Sequence, residues 1–201
     1  GNKKIILQYY ETANEIIRQP SKELIEKLDL ANIKNMIAGE VSLNFIKELL
    51  SKNPKAKYSI GCLHNQKQFL QQLIKKYGLP QPQKIHLSKG HPLKDSWGSQ
   101  PYDLVFLYRK LAYAGYGGQF IKKAYRMLNK DGMLIILEPL TDSLFPATWL
   151  SKEIQLMDLL IAGSKSPGLY SSYEVKAILK KHRFKDIISV PTANHSAIFI
   201  I

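Results

Sequence analysis

Pro101-Tyr-Asp-Leu-Val-Phe-Leu-Tyr108 and Asp131-Gly-Met-Leu-Ile-Ile-Leu-Glu138-Pro139 are two short apolar runs, each followed by polar residues, with an amphipathic helical stretch between them. Apolar residues at almost every position, rather than at every second one, mark strands covered by helices on both faces. The pair reads as a β-helix-β unit at the centre of an α/β sheet. In open sheets of this class ligands sit beyond the carboxyl ends of the strands, which points to Tyr108, Arg109, Glu138 and Pro139 as the rim of any pocket. Arg109 can then either pair with Glu138 across adjacent strand ends or meet an anionic ligand group.

Working back from that unit, Ser88 to Gln100 is polar, rich in Gly and Pro, and reads as a connection that has lost its helix. Before it come a brief strand at 84–87, a helix carrying Phe69, Leu70, Leu73, Ile74 and Tyr77 that stops at Gly78, and a strand at 57–63. The first strand spans 32–38 and ends in Gly39-Glu40. Val41, Phe45, Ile46, Leu49 and Leu50 then give one helix face, which Asn53-Pro54 terminates. Ile5, Ile6, Tyr9, Ala13, Ile16 and Ile17 recur at helical spacing, and Pro20-Ser21 opens a short second helix. Residues 1–30 are therefore expected to be a helical cap ahead of an α/β domain at 31–201.

Working forward, Gly115 to Gly118 lead into a helix bearing Phe120, Ile121, Ala124, Tyr125 and Leu128, and Asn129 to Gly132 reads as a turn. Trp149, Leu150, Ile154, Met157, Leu160 and Ile161 form another apolar helical stripe, followed by a loop from Gly163 to Gly168. Ser171 and Glu174 have capping-box spacing, each side chain able to satisfy the other's backbone N–H. Strands at 184–190 and 196–201 flank Pro191-Thr-Ala-Asn; so close a pair must be an antiparallel hairpin. Asp103 and Asp158 are expected to anchor local backbone.

The 201 residues, 45% hydrophobic, suffice for one substantial core. No apolar run approaches the ~20 residues that span a bilayer and no signal-peptide pattern opens the chain, so the expected compartment is cytoplasmic. Cys62, the single cysteine, excludes an internal disulfide framework. Neither a His-Glu-x-x-His nor a paired Cys-x-x-Cys pattern occurs, and no metal site is expected. The 29 Lys+Arg against 16 Asp+Glu leave +13, which suits an anionic partner. Basic residues are spread over nearly every helix without a dense aromatic-interleaved run, so nucleic acid is disfavoured at this level.

A mostly parallel sheet ending in an antiparallel hairpin resembles the Rossmann-like sandwich of the class I S-adenosylmethionine-dependent methyltransferases. Tyr102-Asp103-Leu-Val-Phe-Leu, Ala124 to Gly132, Leu134-Ile-Ile-Leu-Glu138-Pro139, Met157-Asp158-Leu-Leu and Tyr173 to Leu179 with Arg183-Phe184 resemble the small-molecule O-methyltransferase branch. The likeness spans residues 32–201, and residues 1–30 stand where that family carries a winged-helix dimerisation domain. It implies a cofactor site at Gly39, Glu40, His64, Tyr108 and Arg109, and a substrate side at Glu138, Trp149 and Met157.

The motifs of the reaction itself depart from the family. Its multi-glycine loop is Ala38-Gly39-Glu40-Val41-Ser42 here, with one glycine. Its ribose-binding acid falls among Cys62-Leu63-His64-Asn65, its adenine-binding Asp around Ser88-Lys89-Gly90, and its general-base histidine at Ala112-Tyr113. Tyr113 and Tyr116 remain as substitute bases, although a phenol with a pKa near ~10 is a poor base at neutral pH. Three readings follow. The chain is a pseudo-methyltransferase serving as a scaffold or as part of a larger polyketide-type biosynthetic assembly, with S-adenosylmethionine weakly bound or not at all. Alternatively it is an active O-methyltransferase with an atypical donor site, or the fold is reused for another transformation. Expected partners are other domains or subunits of such an assembly, with no membrane.

Overall fold

The computed structural model describes residues 3–91, 93–95, 97, 101–111, 117–142, 170–192 and 195–200, with backbone alone for Lys3, Ile5, Ile6 and 195–200. Tyr113, Tyr116, Trp149, Met157, Asp158 and the Gly163 to Gly168 loop lie outside the described residues. Seven strands are ordered β3-β2-β1-β4-β5-β7-β6. They are β1 (Asn35–Ala38), β2 (Lys57–Cys62), β3 (Ile85–Lys89), β4 (Tyr102–Tyr108), β5 (Leu128–Glu138), β6 (Ile187–Thr192) and β7 (His195–Ile200). The described helices are α1 (Lys3–Ile16), α2 (Arg18–Lys27), α3 (Leu43–Lys52), α4 (Lys67–Lys76), α5 (Gly117–Met127) and α6 (Ser172–Lys181). The chain forms two compact units, residues 1–106 and 107–201.

In the first unit β1 pairs in parallel with both β2 and β4, Met36 lying opposite Tyr58 and Leu104, and β3 continues the sheet beside β2. Burial on both faces explains the unbroken apolar runs: Met36, Ile37, Tyr58, Ile60, Leu104 and Phe106 are almost wholly inaccessible. Phe45 of α3 stacks on Phe106 with ring centroids 4.0 Å apart and planes 8° from parallel.

β1 begins at Asn35, three residues later than its apolar pattern suggests. The reason is polar. The Asn53 amide donates to the carbonyls of Leu30, Ala31 and Ile33, at 3.1, 3.3 and 2.6 Å, holding that stretch out of the sheet. Asp103 Oδ2 then accepts from the backbone N–H groups of Lys34 and Asn35, both at 2.9 Å. Asp103 thus anchors backbone, but that of the chain entering β1, 68 and 69 positions away, rather than the local backbone expected.

No helix is seen among the described residues between β3 and β4. Trp97 lies there instead, 2% exposed, with its ring laid on Gly61 of β2. A Cβ at Gly61 would come within 2.4 Å of that indole, so only glycine admits the contact. Gly90, at φ +157°, turns the chain out of β3, and a Cβ there would come within 2.8 Å of Asp95.

In the second unit β7 pairs antiparallel with β5 and with β6, so the terminal hairpin is present. Thr192 lies opposite His195, which narrows the loop to two residues; Pro191 is inside β6, an edge strand, where its missing N–H costs no ladder bond. Asn129 to Gly132 is a correction: these residues belong to β5, which follows α5 directly. Lys130 and Asp131 are exposed there, so the outer end of a strand has the composition of a turn.

α6 begins as its capping box implies. Glu174 Oε2 accepts from the Ser171 N–H at 2.7 Å, and Ser171 Oγ accepts from the Glu174 N–H at 3.2 Å. Asp142 adds a second cap, accepting from the Ser172 N–H (2.8 Å) and hydroxyl (2.6 Å). Its partial burial alone would raise the carboxyl pKa, but the Ser172 hydrogen bonds outweigh this and bring it below the usual range.

The other end of α6 closes as a Schellman motif, with Arg183 N–H donating to Lys180 O (3.0 Å) and Phe184 N–H to Leu179 O (3.2 Å). This turn takes the place of the first residues expected in β6, which starts at Ile187. Arg183 occupies the left-handed position at φ +69°, where glycine is the unstrained residue. Arg183→Gly is accordingly expected to raise stability by roughly 0.5–1 kcal/mol, read as a higher denaturation midpoint with an unchanged slope. A lowered midpoint would mean that the arginine side chain contributes more than its backbone costs.

Candidate functional site

The first unit places the ends of β1, β2 and β3 beside one another. After β1 the chain passes through Gly39, Glu40, Val41 and Ser42 into α3; Val41 and Ser42 are buried and Glu40 is half-exposed. Ser42 Oγ donates to Gly39 O at 2.5 Å, closing the loop on itself. Ser42 caps no N–H of α3 with its side chain.

That role falls to Asn14 of α1, fully buried, whose Oδ1 accepts from the Leu43 N–H at 2.8 Å. Its amide donates to Tyr10 O at 2.8 Å, and Asn44 Nδ2 donates to Asn14 O at 2.6 Å. The first N–H groups of a helix following a strand are the usual place for a ligand anion or carbonyl. In this protein one of them is satisfied from within the chain.

At the end of β2, Leu63 is half-buried and His64 exposed, and His64 starts a single 3-10 turn ahead of α4. Gln66 in that turn accepts the Leu63 N–H at 2.7 Å and donates to the Tyr10 hydroxyl at 2.5 Å, tying α1 to this junction also. β3 ends at Lys89, exposed and opposite Cys62 of β2. Burial pushes the Cys62 thiol pKa up and the charge of Glu40 adds to this, while Lys67 and Lys89 pull it down. Glu40, Lys67 and Lys89 thus all act on the thiol at the end of β2. The structure therefore brings Gly39 and Glu40 together with the β2 and β3 ends, and leaves the His64 side chain in solvent.

In the second unit Tyr108, Arg109 and Glu138 share the carboxyl ends of β4 and β5. The Arg109 N–H donates to Leu137 O at 3.1 Å, and the Arg109 guanidinium lies 6.0 Å from the centroid of the Tyr108 ring. Arg109 is in the left-handed region at φ +49°, a strained conformation for a side chain of its size, and Glu138 is 1% exposed. Burial raises the Tyr170 hydroxyl pKa, and the charges of Glu138 and Glu174 add to the effect. Among the described residues no group of His, Cys, Asp and Glu could hold a metal ion, and no helix is long and apolar enough to cross a membrane.

With that geometry the chain superimposes on solved structures over nearly its whole length. An O-methyltransferase family protein from Burkholderia thailandensis matches with a TM-score of 0.76 at 16% identity, over 96% of this chain and 57% of that one. The fold is that of the class I O-methyltransferases. Human N-acetylserotonin methyltransferase, solved in complex with SAM, matches the methyltransferase fold seen here at 0.75 and 19% identity, over 96% and 55% of the two chains. An O-methyltransferase family 2 protein from Planctomyces limnophilus, in complex with apigenin, matches at 0.73 and 17%, over 95% and 61%. The chain thus spans little more than half the length of these structures. No family model matches the sequence, and no curated protein does.

Within the methyltransferase fold, four residues near the strand ends escaped the reading of the sequence: Tyr10, Asn14, Gln66 and Trp97. Asn14 lies on the apolar face of α1 next to Ala13, a buried polar residue among hydrophobes, which was the available signal. Trp97 had none beyond its size.

Proposed function

We propose that this chain is a methyltransferase-fold module that does not transfer methyl groups, and that it serves as a scaffold or subunit of a cytoplasmic biosynthetic assembly of the polyketide type. The observation that carries this is the set of side chains at the β2 and β3 ends. A methyl donor of the S-adenosylmethionine kind needs acceptors for both ribose hydroxyls and its adenine amine, and the residues at hand are half-buried Leu63, exposed His64 and Asn65, either of which could accept one ribose bond, and exposed Lys89. An ammonium group accepts no hydrogen bond. The loop after β1 adds to the misfit, with Val41 buried in it and the Leu43 N–H bonded to Asn14.

Each cofactor group buried without a partner costs about 1–3 kcal/mol. Two such losses remove much of the roughly 8 kcal/mol that a micromolar complex represents. Calorimetric titration of the purified chain with S-adenosylmethionine is therefore expected to show no saturable heat below about 100 μM. A dissociation constant of a few micromolar or tighter would overturn the proposal.

One observation favours a second reading, an active O-methyltransferase with an atypical donor site. Glu40 follows β1, beside β2 in the sheet, and its charge raises the Cys62 thiol pKa, so a carboxylate acts on this region from β1 rather than β2. If the titration shows binding, Glu40→Gln is the first variant to test, since Glu40 would then stand in for the missing acceptor.

A further inference from the structure

The second unit has a cavity of about 380 Å³ where β5 begins, far along the strand from Glu138, lined by Tyr125, Lys130, Arg183, Phe184 and Lys185 among others. Tyr125 is 46% exposed and meets buried Phe184 edge-on, ring centroids 5.3 Å apart. Among the described residues no carboxylate forms an ion pair with Lys130, Arg183 or Lys185. The elements that form the cavity also carry Lys122 and Arg126 on α5 and Lys180 and Lys181 on α6, all exposed. α5 and α6 lie side by side: a Cβ on Gly118 would be 3.7 Å from the His182 ring. His182 registers the field as well; burial lowers its pKa, and Lys181 and Lys122 lower it further.

Among the described residues, Lys130, Arg183 and Lys185 line the cavity, and α5 and α6 add four more exposed cations, against three exposed carboxylates on the same elements, Asp131, Glu174 and Asp186. Folding joins two basic stretches about fifty residues apart, Lys122 to Lys130 and Lys180 to Lys185. Arg183, at the left-handed position that ends α6, is itself one of the residues lining the cavity.

We propose that this surface binds single-stranded nucleic acid, the phosphates running along the α5 and α6 cations and a base stacking against Tyr125 at the cavity mouth. Five of the seven cations are lysines, a residue depleted from protein–protein interfaces but effective as a point charge for phosphate. A partly exposed aromatic ring set among them is the arrangement of single-strand sites, where bases are splayed onto side chains.

The test is fluorescence anisotropy of the full chain with a labelled single strand of about 15 nucleotides, across a range of salt concentrations. Lys130→Glu with Lys185→Glu is expected to weaken binding at least ~10-fold. Lys22→Glu with Lys52→Glu changes the net charge equally on exposed sites of the first unit, and is expected to weaken it less than ~2-fold. Tyr125→Ala, which leaves charge untouched, is expected to cost ~5-fold or more. Tyr125→Leu keeps the apolar contact with Phe184 and replaces it if the alanine variant does not fold. Equal losses from the two charge-reversal pairs would show net charge alone at work and overturn the proposal. So would a duplex or a polyglutamate peptide bound more tightly than the single strand, or unchanged binding on loss of the Tyr125 ring.

Discussion

Trp97→Ala is expected to destabilise the protein by about 3–5 kcal/mol, measured as the shift of a chemical denaturation midpoint. The indole is 2% exposed and covers a stretch of β2 that has no helix over it among the described residues. Tyr102 also loses a neighbour, since its hydroxyl donates to Trp97 O at 2.7 Å, though that backbone bond can survive the substitution. The sharper test is coupling with Gly61. In the native background Gly61→Ala drives a methyl to within 2.4 Å of the ring, and the ring cannot yield without leaving its pocket. In the Trp97→Ala background the same methyl enters vacated space and should cost almost nothing, giving a coupling of about 1–3 kcal/mol. Strict additivity of the two changes would mean that Trp97 and Gly61 do not share the contact described.

Asn14→Ala comes next in size, at about 2–4 kcal/mol, because a fully buried amide leaves and the Leu43 N–H keeps no partner. Asn14→Leu fills the volume but not the bond and should recover only part of the loss. Asn44→Ala removes a different bond of the same cluster, from its amide to Asn14 O, so the two alanine variants should fall short of additivity. If Asn14→Ala proves nearly neutral, water or another group satisfies the start of α3, and the case that α1 occupies that position weakens.

These two sites also mark where the sequence stopped being legible. The central strands announced themselves because burial on both faces leaves little but Val, Ile, Leu and aromatic residues. Gly78 ended α4, and Ser171 with Glu174 opened α6, because helix termini must satisfy their backbone groups locally. Such signals lie within a few residues of what they control. Besides local bonds, Asn14, Asn53 and Gln66 each reach a partner 20 to 56 positions away, and no local pattern encodes which distant group such an amide will find. The same distance hid the shared cavity, since Lys130 and, from the basic run at 180–185, Arg183 and Lys185 line it together only in the folded chain. Glu40 and Gly39 were correctly placed at a strand end; the exposure of His64 depended on a 3-10 turn that composition does not distinguish from the start of α4.

The Asp103 carboxylate has a consequence for how the first unit comes together. It receives N–H groups 68 and 69 positions earlier in the chain, with β2, β3 and both crossover segments lying between. Closing a loop of that length is entropically slow to be repaid, so the β1–β4 pair, the most widely separated of the strand pairs in this unit, is the natural last of them to form. A nascent chain that has emerged only through β3 still shows an open edge on β1, with no carboxylate to hold Lys34 and Asn35. A fragment that stops short of Phe106 leaves the β1 edge unpaired, and such an edge is suited to pairing with other chains.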